Sequence, residues 1–409
     1  MDPLAVFRKE FRHHTNEIYL DGNSLGKLPL AAESHLNEAI QNQWGKELIR
    51  SWNTHWLELP KRIAAKYATL LGTQSHNILM GESTSVRIYQ MLHAALTSGL
   101  FPKQLLTDAL NFPTDQYLMQ GLESAFLLPK TIQVTYGQEI EANIDHLKAE
   151  IKTHPGIVCL SLASYKSAYL YPMKELNQWA KCCGSLILWD LSHAVGVVDI
   201  DLEATETLMA VGCTYKFMNG GPGAPAFIFI AEALQQKLKN PIQGWFGHQK
   251  PFDFDPMYKP ANGIERFASG TPQILSLVGM EAGIDITLAA GIKAIRQKSS
   301  RQTAFLIAAI NEELSSYGYQ LQSPVDNARR GSHVSISHPH AWQICQALQA
   351  GSETFPKIIP DFRPPNFIRL GVAPLYILDR ELELTVRRLK DIVKDKIYLN
   401  FSSEKPQVT

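Results

Sequence analysis

The sequence predicts an α/β protein in which a large domain, built on a mostly parallel sheet with helices on both faces, precedes a smaller α+β domain. In the middle of the chain, short runs of apolar residues alternate with helical patterns. Strands that are apolar along their whole length are typical of parallel sheets buried on both faces. The last third of the chain mixes strand and helix patterns differently, which indicates a second domain.

The large domain is predicted from four apolar runs, at residues 156–162, 185–190, 208–213 and 226–230. A helical pattern at 174–183 separates the first run from the second. Parallel strands need crossover connections of this kind, so the alternation favours a parallel sheet.

The small domain is predicted from a helical pattern ending before Gly318, a strand at 330–337, a helix at 341–349 and a long amphipathic helix at 380–393. The boundary between the domains is expected in the helical stretch near 275–300. The expected organisation is an N-terminal segment that packs with the small domain (1–50), a large cofactor-binding domain (51–285) and a small C-terminal domain (286–409).

The bulk composition argues against several classes of protein. The 409 residues contain 39 basic and 39 acidic side chains, and this balance offers no positive surface to a nucleic acid. No apolar stretch approaches about 18 residues, so we expect no membrane span, and Met1 is not followed by the segments of a signal peptide. The five cysteines lack the spacing of a zinc site, which predicts reduced thiols in a cytoplasmic protein without a bound metal.

The first of four chemically informative patterns is Gly81-Glu82-Ser83-Thr84-Ser85, which precedes a helical pattern. Hydroxyl groups and free backbone N–H groups at a helix N-terminus suit a phosphate. Taken alone, the same residues are better explained as an ordinary helix cap.

The second pattern is a predicted loop, Asn111-Phe112-Pro113-Thr114-Asp115. The Phe112 ring could stack on a flat cofactor. Taken alone, this loop is more simply explained by a phenylalanine tucked into the core.

The third and fourth patterns lie at the ends of apolar strands. Asp190 and His193 follow the run at 185–190, where ligands of open α/β sheets bind, and a carboxylate there can pair with a protonated pyridine nitrogen. Lys216 follows the run at 208–213 and precedes a glycine-rich turn, so its amine could form a Schiff base. Separately, the aspartate is typical of a turn and the lysine of a protein surface.

Together the four patterns indicate one cofactor. A phosphate-binding helix start, an aromatic loop, a strand-end aspartate and a strand-end lysine follow one another in this order. They match the phosphate, ring face, pyridine nitrogen and aldehyde of pyridoxal 5'-phosphate (PLP). The sequence therefore predicts a PLP enzyme whose chemistry depends on Lys216.

Segments along nearly the whole chain resemble the kynureninase family, which belongs to the aspartate aminotransferase superfamily of PLP enzymes (fold type I). Asp-Gly-Asn-Ser-Leu-Gly at 21–26 and Gly-Trp-Phe-Gly-His at 244–248 are the more specific ones. The spacing of Asp190 and Lys216 is shared with cysteine desulfurases. The resembling segments are 19–26, 50–53, 112–115, 189–193, 212–216, 244–248, 270–272 and 368–376.

The resemblance implies a PLP-dependent transferase-like fold type I with a mostly parallel seven-stranded sheet. It implies a homodimer with shared active sites, in which Trp245 and Thr271 reach the phosphate held by the neighbouring subunit. The catalytic residues implied are Lys216, Asp190 and Tyr215. The cofactor contacts implied are Thr84, Ser85, Phe112, Thr114, Asp115, Asp190, His193, Tyr215, Lys216, Trp245 and Thr271. The substrate contacts implied are Arg369, Trp56, His55 and Ser24.

The chain departs from the family pattern at a few positions. Arg87 stands where the family is expected to show Asn, and Gln273 follows Pro272 where a second proline is frequent. The loop at 53–56 is slightly shorter than expected for bacterial members. These changes leave the cofactor residues intact, and they leave open whether the substrate is kynurenine or its 3-hydroxy form.

The activity implied is hydrolytic cleavage of the Cβ–Cγ bond of L-kynurenine or 3-hydroxykynurenine, a reaction of tryptophan catabolism, the kynurenine pathway and NAD biosynthesis. The products are L-alanine and anthranilate or 3-hydroxyanthranilate. One alternative keeps PLP but makes the chain a cysteine desulfurase or an aminotransferase. A desulfurase needs a mobile nucleophilic cysteine, whereas Cys345 lies in a helical pattern. A second alternative is a non-catalytic protein that binds a ligand or a partner.

Overall fold

The computed structural model describes residues 2–137 and 140–404. The strands are β1 (Glu17–Tyr19), β2 (Ile78–Met80), β3 (Leu105–Asp108), β4 (Ile132–Val134), β5 (Ile157–Ser161), β6 (Leu186–Asp190), β7 (Met209–Gly212), β8 (Phe227–Ile230), β9 (Gln320–Leu321), β10 (His333–Ser337), β11 (Lys357–Ile359), β12 (Asp361–Arg363) and β13 (Phe367–Gly371). The α-helices are α1 (Leu30–Glu38), α2 (Leu59–Leu70), α3 (Thr84–Thr97), α4 (Pro113–Phe126), α5 (Ile144–Thr153), α6 (Met173–Cys182), α7 (Glu232–Gln235), α8 (Ile274–Ala290), α9 (Ile292–Ala309), α10 (Ala341–Ala350) and α11 (Asp379–Lys394). Stretches of π-helix occur at Ala39–Glu47, Trp52–Trp56 and Ile310–Leu314.

The central sheet has seven strands in the order β2-β8-β7-β6-β5-β3-β4. The pairs β3–β4, β3–β5, β5–β6 and β6–β7 are parallel, whereas β8 is antiparallel to both of its neighbours. The predicted mostly parallel, seven-stranded sheet is therefore confirmed. The run at 226–230 forms the antiparallel strand, because the chain returns from β7 to β8 without a crossover helix.

Helices cover both faces of this sheet, as the apolar character of its strands predicts. Strands β5 and β6 are buried at every residue. Side chains of α3 and α4 pack on one face, and those of α2, α5, α6 and α8 pack on the other. The sheet is thus the middle layer of three, which leaves its edges and strand ends as the places where a ligand can enter.

The C-terminal part is built on a second, antiparallel sheet with the order β12-β13-β10-β9. Helices α10 and α11 pack together beside it. The long helices α8 and α9 connect this part to the central sheet and meet at Gly291, whose φ of 78° turns the chain between them.

The N-terminal segment contacts both parts of the molecule. Strand β1 pairs in parallel with β11, and Asp21 forms a bridge to Gly371 at the end of β13. Further along, α1 packs against α8. The segment at 21–26 therefore lies between the two sheets.

Within the part of the chain that the structure describes, no single helix combines the length and apolar composition needed to cross a membrane. One pair of helical segments, Ile274–Ala290 and Ile292–Tyr317, meets both criteria when taken together, and its two members are bent by 83° relative to each other.

The sheet places several of the predicted site residues along one edge. Strands β2, β3, β5, β6 and β7 run in the same direction, so their carboxyl ends meet at that edge. The start of α3, the start of α4, Asp190 and Lys216 all follow such strand ends.

The turn that carries Lys216 is supported from behind by a close helix contact. A Cβ atom on Gly283 of α8 would collide with the carbonyl oxygen of Met218 and lie 3.1 Å from that of Asn219. Only a glycine allows α8 to approach this backbone so closely.

We therefore predict that Gly283→Ala destabilises the protein by about 1–3 kcal/mol, because the methyl group forces α8 away from the turn. Gly121→Ala in α4 is the matched control: it has no atom within 4 Å of its added Cβ, and it should stabilise by about 0.5–1 kcal/mol through helix propensity. Urea denaturation of both variants measures the difference. Equal effects of the two substitutions would contradict the close packing of α8 on the turn.

Candidate active site

Lys216 lies half-buried at the carboxyl edge of the central sheet. Its Nζ is 2.9 Å from Nε2 of His193. It also lies 5.7 Å from the centre of the Phe112 ring and 5.8 Å from that of Tyr215. The structure thus brings together the lysine, the histidine and the aromatic loop that the sequence predicted separately.

Two buried carboxylates interact with this amine. Asp190 ends β6, next to the strand that leads to Lys216, and Asp115 lies in the first turn of α4. Burial raises the pKa of both carboxyl groups, and Lys216 opposes the rise in each case. For Asp115 the repulsion from Asp190 raises the pKa further. A second positive group beside Asp190 would favour the ionised form of Asp190 and oppose the rise in the pKa of both carboxyl groups.

Asp190 is held by its own turn. Its Oδ1 accepts hydrogen bonds from the backbone N–H of Ser192 at 2.9 Å and from the Ser192 hydroxyl at 2.6 Å. Both bonds reach Oδ1, so among the described residues Oδ2 is left for another donor. Ser192 also accepts a hydrogen bond from the Cys213 backbone N–H, 3.0 Å away, and thereby joins the turn after β6 to the turn after β7.

His193 is a buried, neutral imidazole. Burial and then the nearby Lys216 hold its pKa well below the ordinary value. Its Nδ1 is buried and has no hydrogen-bond partner among the described residues. His193 can therefore use one nitrogen for Lys216 and the other for a bound molecule.

Asn111 fixes the aromatic loop. Its amide donates to Thr107 Oγ1 and to the carbonyl oxygen of Cys159, each at 3.0 Å. Its Oδ1 accepts from the Ser161 hydroxyl and from the Phe112 backbone N–H. Phe112 is held in turn at 5.2 Å from the ring of Tyr165, edge to face. Thr114 follows in the same first turn of α4.

The start of α3 has the features of an anion site. The Ser83 hydroxyl caps the helix by accepting from the Val86 N–H at 3.3 Å, and Thr84 and Ser85 begin the helix. Gly81 has a φ of 137°, a conformation that few other residues adopt. Ser83 is therefore an ordinary helix cap. The Thr84 and Ser85 hydroxyls form no hydrogen bond with other described residues, so they can bind an anion.

A second polar cluster surrounds Arg369 on β13. The Arg369 guanidinium is buried, donates to Asp361 and to the carbonyl oxygen of Tyr165, and reaches the Ser24 hydroxyl at 3.2 Å. Arg363 approaches the same hydroxyl at 3.4 Å and lies 3.1 Å from Asp361. Tyr165 thus connects this cluster to Phe112.

Asp21 adds a titratable group to this cluster. Burial and then the repulsion from Asp361 raise its pKa to about 6, against the opposing effects of Ser24 and the two arginines. The cluster can therefore change its net charge in the neutral pH range.

The remaining predicted residues lie in a different place. Trp245 is 38% exposed and packs edge-to-face on Phe246, with ring centres 4.3 Å apart. Thr271 is exposed. Trp56 donates to Gln43 at 2.8 Å, and His55 lies 3.4 Å from Glu47. Trp56 and Trp245 belong to an aromatic group with Trp52 and Phe246. None of the four residues has a contact with Lys216 among those that the described part of the chain shows.

Sequence reasoning missed several groups in the site. His333 on β10 is fully buried, with its ring 6.0 Å from that of His193, and burial and then Arg369 hold its pKa well below the ordinary value. Asp361, Arg363 and Asp21 were also missed. The two residues of β12 come together with Arg369 only through the pairing of β12 with β13, which no local pattern reveals. Asp21 lies in a segment that the resemblance quoted, so its charge was the available signal.

No cluster of three or more histidine, cysteine, aspartate or glutamate side chains in the described part of the chain is arranged to hold a metal ion. The polar groups of the site instead suit an organic molecule with an anionic end, a flat ring and a carbonyl carbon.

Comparison with known proteins places the chain in a family. A model of the kynureninase C-terminal domain matches residues 295–389. A kynureninase from Pseudomonas fluorescens is 35% identical over 97% of this chain and 94% of its own length. One from Deinococcus radiodurans is 39% identical over 92% and 90%, respectively, and one from Burkholderia pseudomallei is 34% identical over 96% and 93%.

Solved structures agree on the fold. A cysteine desulfurase from Thermococcus onnurineus NA1 in its apo form superimposes with a TM-score of 0.80 at 17% identity, over 95% of this chain and 98% of that one. A C-DES variant with glycine linked covalently to its PLP cofactor superimposes with a TM-score of 0.81 at 16% identity, over 94% and 99%. At these identities the likeness concerns the fold alone, which is that of PLP enzymes of fold type I. On the strength of its full-length relatives, the chain belongs to the kynureninase family.

Proposed function

We propose that this protein is a PLP-dependent hydrolase that cleaves the Cβ–Cγ bond of L-kynurenine to anthranilate and L-alanine. Family membership supports the reaction. The structural observation that carries the proposal is the Lys216 amine, which lies 2.9 Å from His193 at the carboxyl edge of the sheet and acts electrostatically on two buried carboxyl groups.

The residues of the site fit PLP. Two buried polar atoms, Oδ2 of Asp115 and Nδ1 of His193, have no partner among the described residues, and Oδ2 of Asp190 is free of the Ser192 bonds. A phosphorylated hydroxypyridine aldehyde offers groups for such atoms and for the α3 N-terminus. When bound, PLP withdraws the electrons released at the substrate carbons, and this makes cleavage next to a ketone feasible.

The proposed cofactor contacts come from α3, α4, β6 and the turns that follow β6 and β7. Thr84 and Ser85 would hold the phosphate at the start of α3, with the Tyr215 hydroxyl beside it. Asp190 would pair with the pyridine nitrogen. The other contacts proposed are Phe112 on the ring face, Thr114, Asp115 and His193 around the ring, and Lys216 bonded to the aldehyde carbon.

Two residues are proposed to move protons. Lys216 removes the proton from the substrate Cα, because its amine is the base held at the carboxyl edge beside neutral His193. Tyr215 is the candidate for the proton at the hydrated ketone. Burial, and then Cys213, raise the pKa of its phenol, so it enters the reaction as a proton donor.

Arg369 is proposed to bind the substrate α-carboxylate, with Ser24 as a second contact. The bonds to Asp361 and Tyr165 fix the guanidinium plane before the substrate arrives. A planar, fixed guanidinium is suited to a carboxylate. Arg363 reaches the same Ser24 hydroxyl and adds a second positive charge at this end of the site.

The site is proposed to be completed by a second copy of the chain. Trp245 and Thr271 would reach the partner's phosphate, and His55 and Trp56 would meet the aromatic end of the substrate. An apolar surface supports this arrangement, because Phe252 and Phe254, whose rings lie 5.7 and 6.3 Å from that of Trp245, are 51% and 76% exposed. Exposed apolar patches of this kind mark interfaces. The proposal also places the enzyme in the cytoplasm, which agrees with its five free cysteines.

The cysteine desulfurase alternative has no exposed thiol near Lys216 among the described residues, because Cys159, Cys213 and Cys345 are buried and Cys183 is next to Cys182 at the end of α6. Cys345 is fully buried within α10, and burial raises the pKa of its thiol well above the ordinary value. Cys182 is exposed, but it ends α6 at the opposite edge of the sheet from Lys216. Incubation with L-kynurenine and with L-cysteine distinguishes the two reactions, since anthranilate is expected from the first and no sulfide from the second.

Lys216→Ala is expected to reduce anthranilate formation to background and to remove the absorbance that arises from the covalent bond between this amine and the cofactor aldehyde. The reason is that both covalent attachment and Cα proton removal depend on this amine. Lys181→Ala, on the surface beside Glu206, is the control and should retain full activity. Turnover by the Lys216 variant would refute the assignment.

Shared active sites predict complementation between two defective variants. Neither Lys216→Ala nor Thr271→Ala homodimers have an intact site, but a mixed dimer has one site with both residues. Refolding the two variants together in equal amounts should therefore restore about a quarter of the wild-type activity. Activity no higher than the mean of the separate variants would argue against sites built from two chains.

Asp21 predicts a pH dependence of stability. Its pKa of about 6 in the folded protein is above its value of about 3.9 in an unfolded chain. The folded state therefore retains a proton that the unfolded state loses, and stability falls as the pH rises between these values, by up to about 3 kcal/mol. Asp21→Asn should lack this loss in urea denaturation between pH 4 and about 7, whereas Asp199→Asn, an exposed control, should behave as the wild type. A parallel loss in the Asp21 variant would show that another group is responsible.

A further inference from the structure

Arg87 is a charged residue inside the protein that the proposed chemistry does not use. It lies in α3, one turn after Thr84, and is 1% exposed. Its side chain runs back toward the start of the helix, where Nε donates to the Gly81 carbonyl oxygen at 3.0 Å. Nη1 donates to Gln90 Oε1 at 3.0 Å and to the Phe267 carbonyl oxygen at 2.8 Å.

All of these acceptors are neutral. In the described part of the chain no carboxylate forms an ion pair with Arg87, and Glu82 acts on it only from a distance. Burial lowers its pKa to about 10, so the guanidinium remains charged at neutral pH. A buried charge without a counter-ion is costly, and among the described residues Arg87 is compensated only by hydrogen bonds to neutral acceptors and by the distant Glu82.

The proposed phosphate site has the opposite charge imbalance, because it would hold a negative group without a positive side chain among its ligands. A phosphate monoester carries about 1.5 to 2 negative charges at neutral pH. The side chains proposed to hold it are Thr84, Ser85, Tyr215, Trp245 and Thr271, and none of them is positively charged.

The unpaired cation lies beside the loop that leads into the proposed phosphate ligands. Arg87 Nη2 lies only 3.0 Å from where a Cβ of Gly81 would be, and Gly81 opens the loop that leads into Thr84 and Ser85. A cavity of about 330 Å³ is lined by Arg87, Gly81, Glu82, Thr271 and Gln273, among others. Gln273 Oε1 is buried there without a partner among the described residues.

We propose that Arg87 supplies the positive charge that balances the PLP phosphate. It is a positioning residue: it acts through the Gly81 loop and the α3 N-terminus, and it does not touch the reacting atoms. The bond to Phe267 also ties Arg87 to the segment that carries Thr271, the residue proposed to reach the partner's phosphate. This inference rests on the proposed function, since it needs PLP as the ligand.

The test compares the affinity of the apoprotein for PLP and for pyridoxal, which has the same ring and aldehyde but no phosphate. The variants are Arg87→Gln, which keeps hydrogen-bond donors without the charge, and Arg87→Lys, which keeps the charge without the planar fork. Arg87→Asn is added because the family is expected to carry Asn here, so the fold should tolerate it. Equilibrium titration followed by visible absorbance gives Kd for each ligand without any turnover.

We expect Arg87→Gln and Arg87→Asn to raise the Kd for PLP about tenfold or more and to leave that for pyridoxal nearly unchanged. Arg87→Lys should keep most of the preference for PLP. Equal weakening of both ligands would assign Arg87 a structural role only and overturn the inference, as would an unchanged Kd for PLP or equal losses in the Lys and Gln variants. If the wild-type apoprotein bound neither ligand, the proposed function itself would fail.

Discussion

The electrostatic interaction of one half-buried amine with two buried carboxyl groups is the constraint on which the active site depends. Asp190 and Lys216 follow neighbouring parallel strands, so the sheet itself sets their separation. Burial raises the pKa of Asp190 and of Asp115, and nearby positive groups stabilise their ionised forms. The cationic ring of the proposed cofactor, the lysine and the two acids therefore stabilise one another.

Each of the contacts that hold the site residues in place joins elements that are distant in sequence. Ser192 connects the turns after β6 and β7. Gly26 donates its N–H to the carbonyl oxygen of Tyr215 at 2.8 Å, so the N-terminal segment contacts the turn that carries Lys216. Tyr165 accepts from Arg369 and packs against Phe112. Tyr165 thus joins the Arg369 cluster to the aromatic loop beside Lys216.

The sequence predicted the parts of this site that depend on local patterns. A polar residue directly after an apolar strand is visible without a structure, and this is why Asp190, His193 and Lys216 were found together with the parallel sheet. The antiparallel direction of β8 was not predicted, because it depends on how the chain returns after the glycine-rich turn.

Residues that join the site through non-local pairing were beyond reach of the sequence. Asp361 and Arg363 meet Arg369 only because β12 pairs with β13, and His333 approaches His193 only because the small sheet packs at the carboxyl edge. Arg87 was expected to depart from the family pattern, yet nothing in the sequence showed that its guanidinium is buried without a counter-ion among the described residues. Domain docking and burial, which decide these cases, are tertiary properties.

The most direct measurement is reduction of the PLP-loaded protein with borohydride, followed by mass spectrometric mapping of the peptides. We predict one phosphopyridoxyl group per chain, on Lys216. Attachment to any other lysine, or a chain that gains no mass from the cofactor, would contradict the central claim.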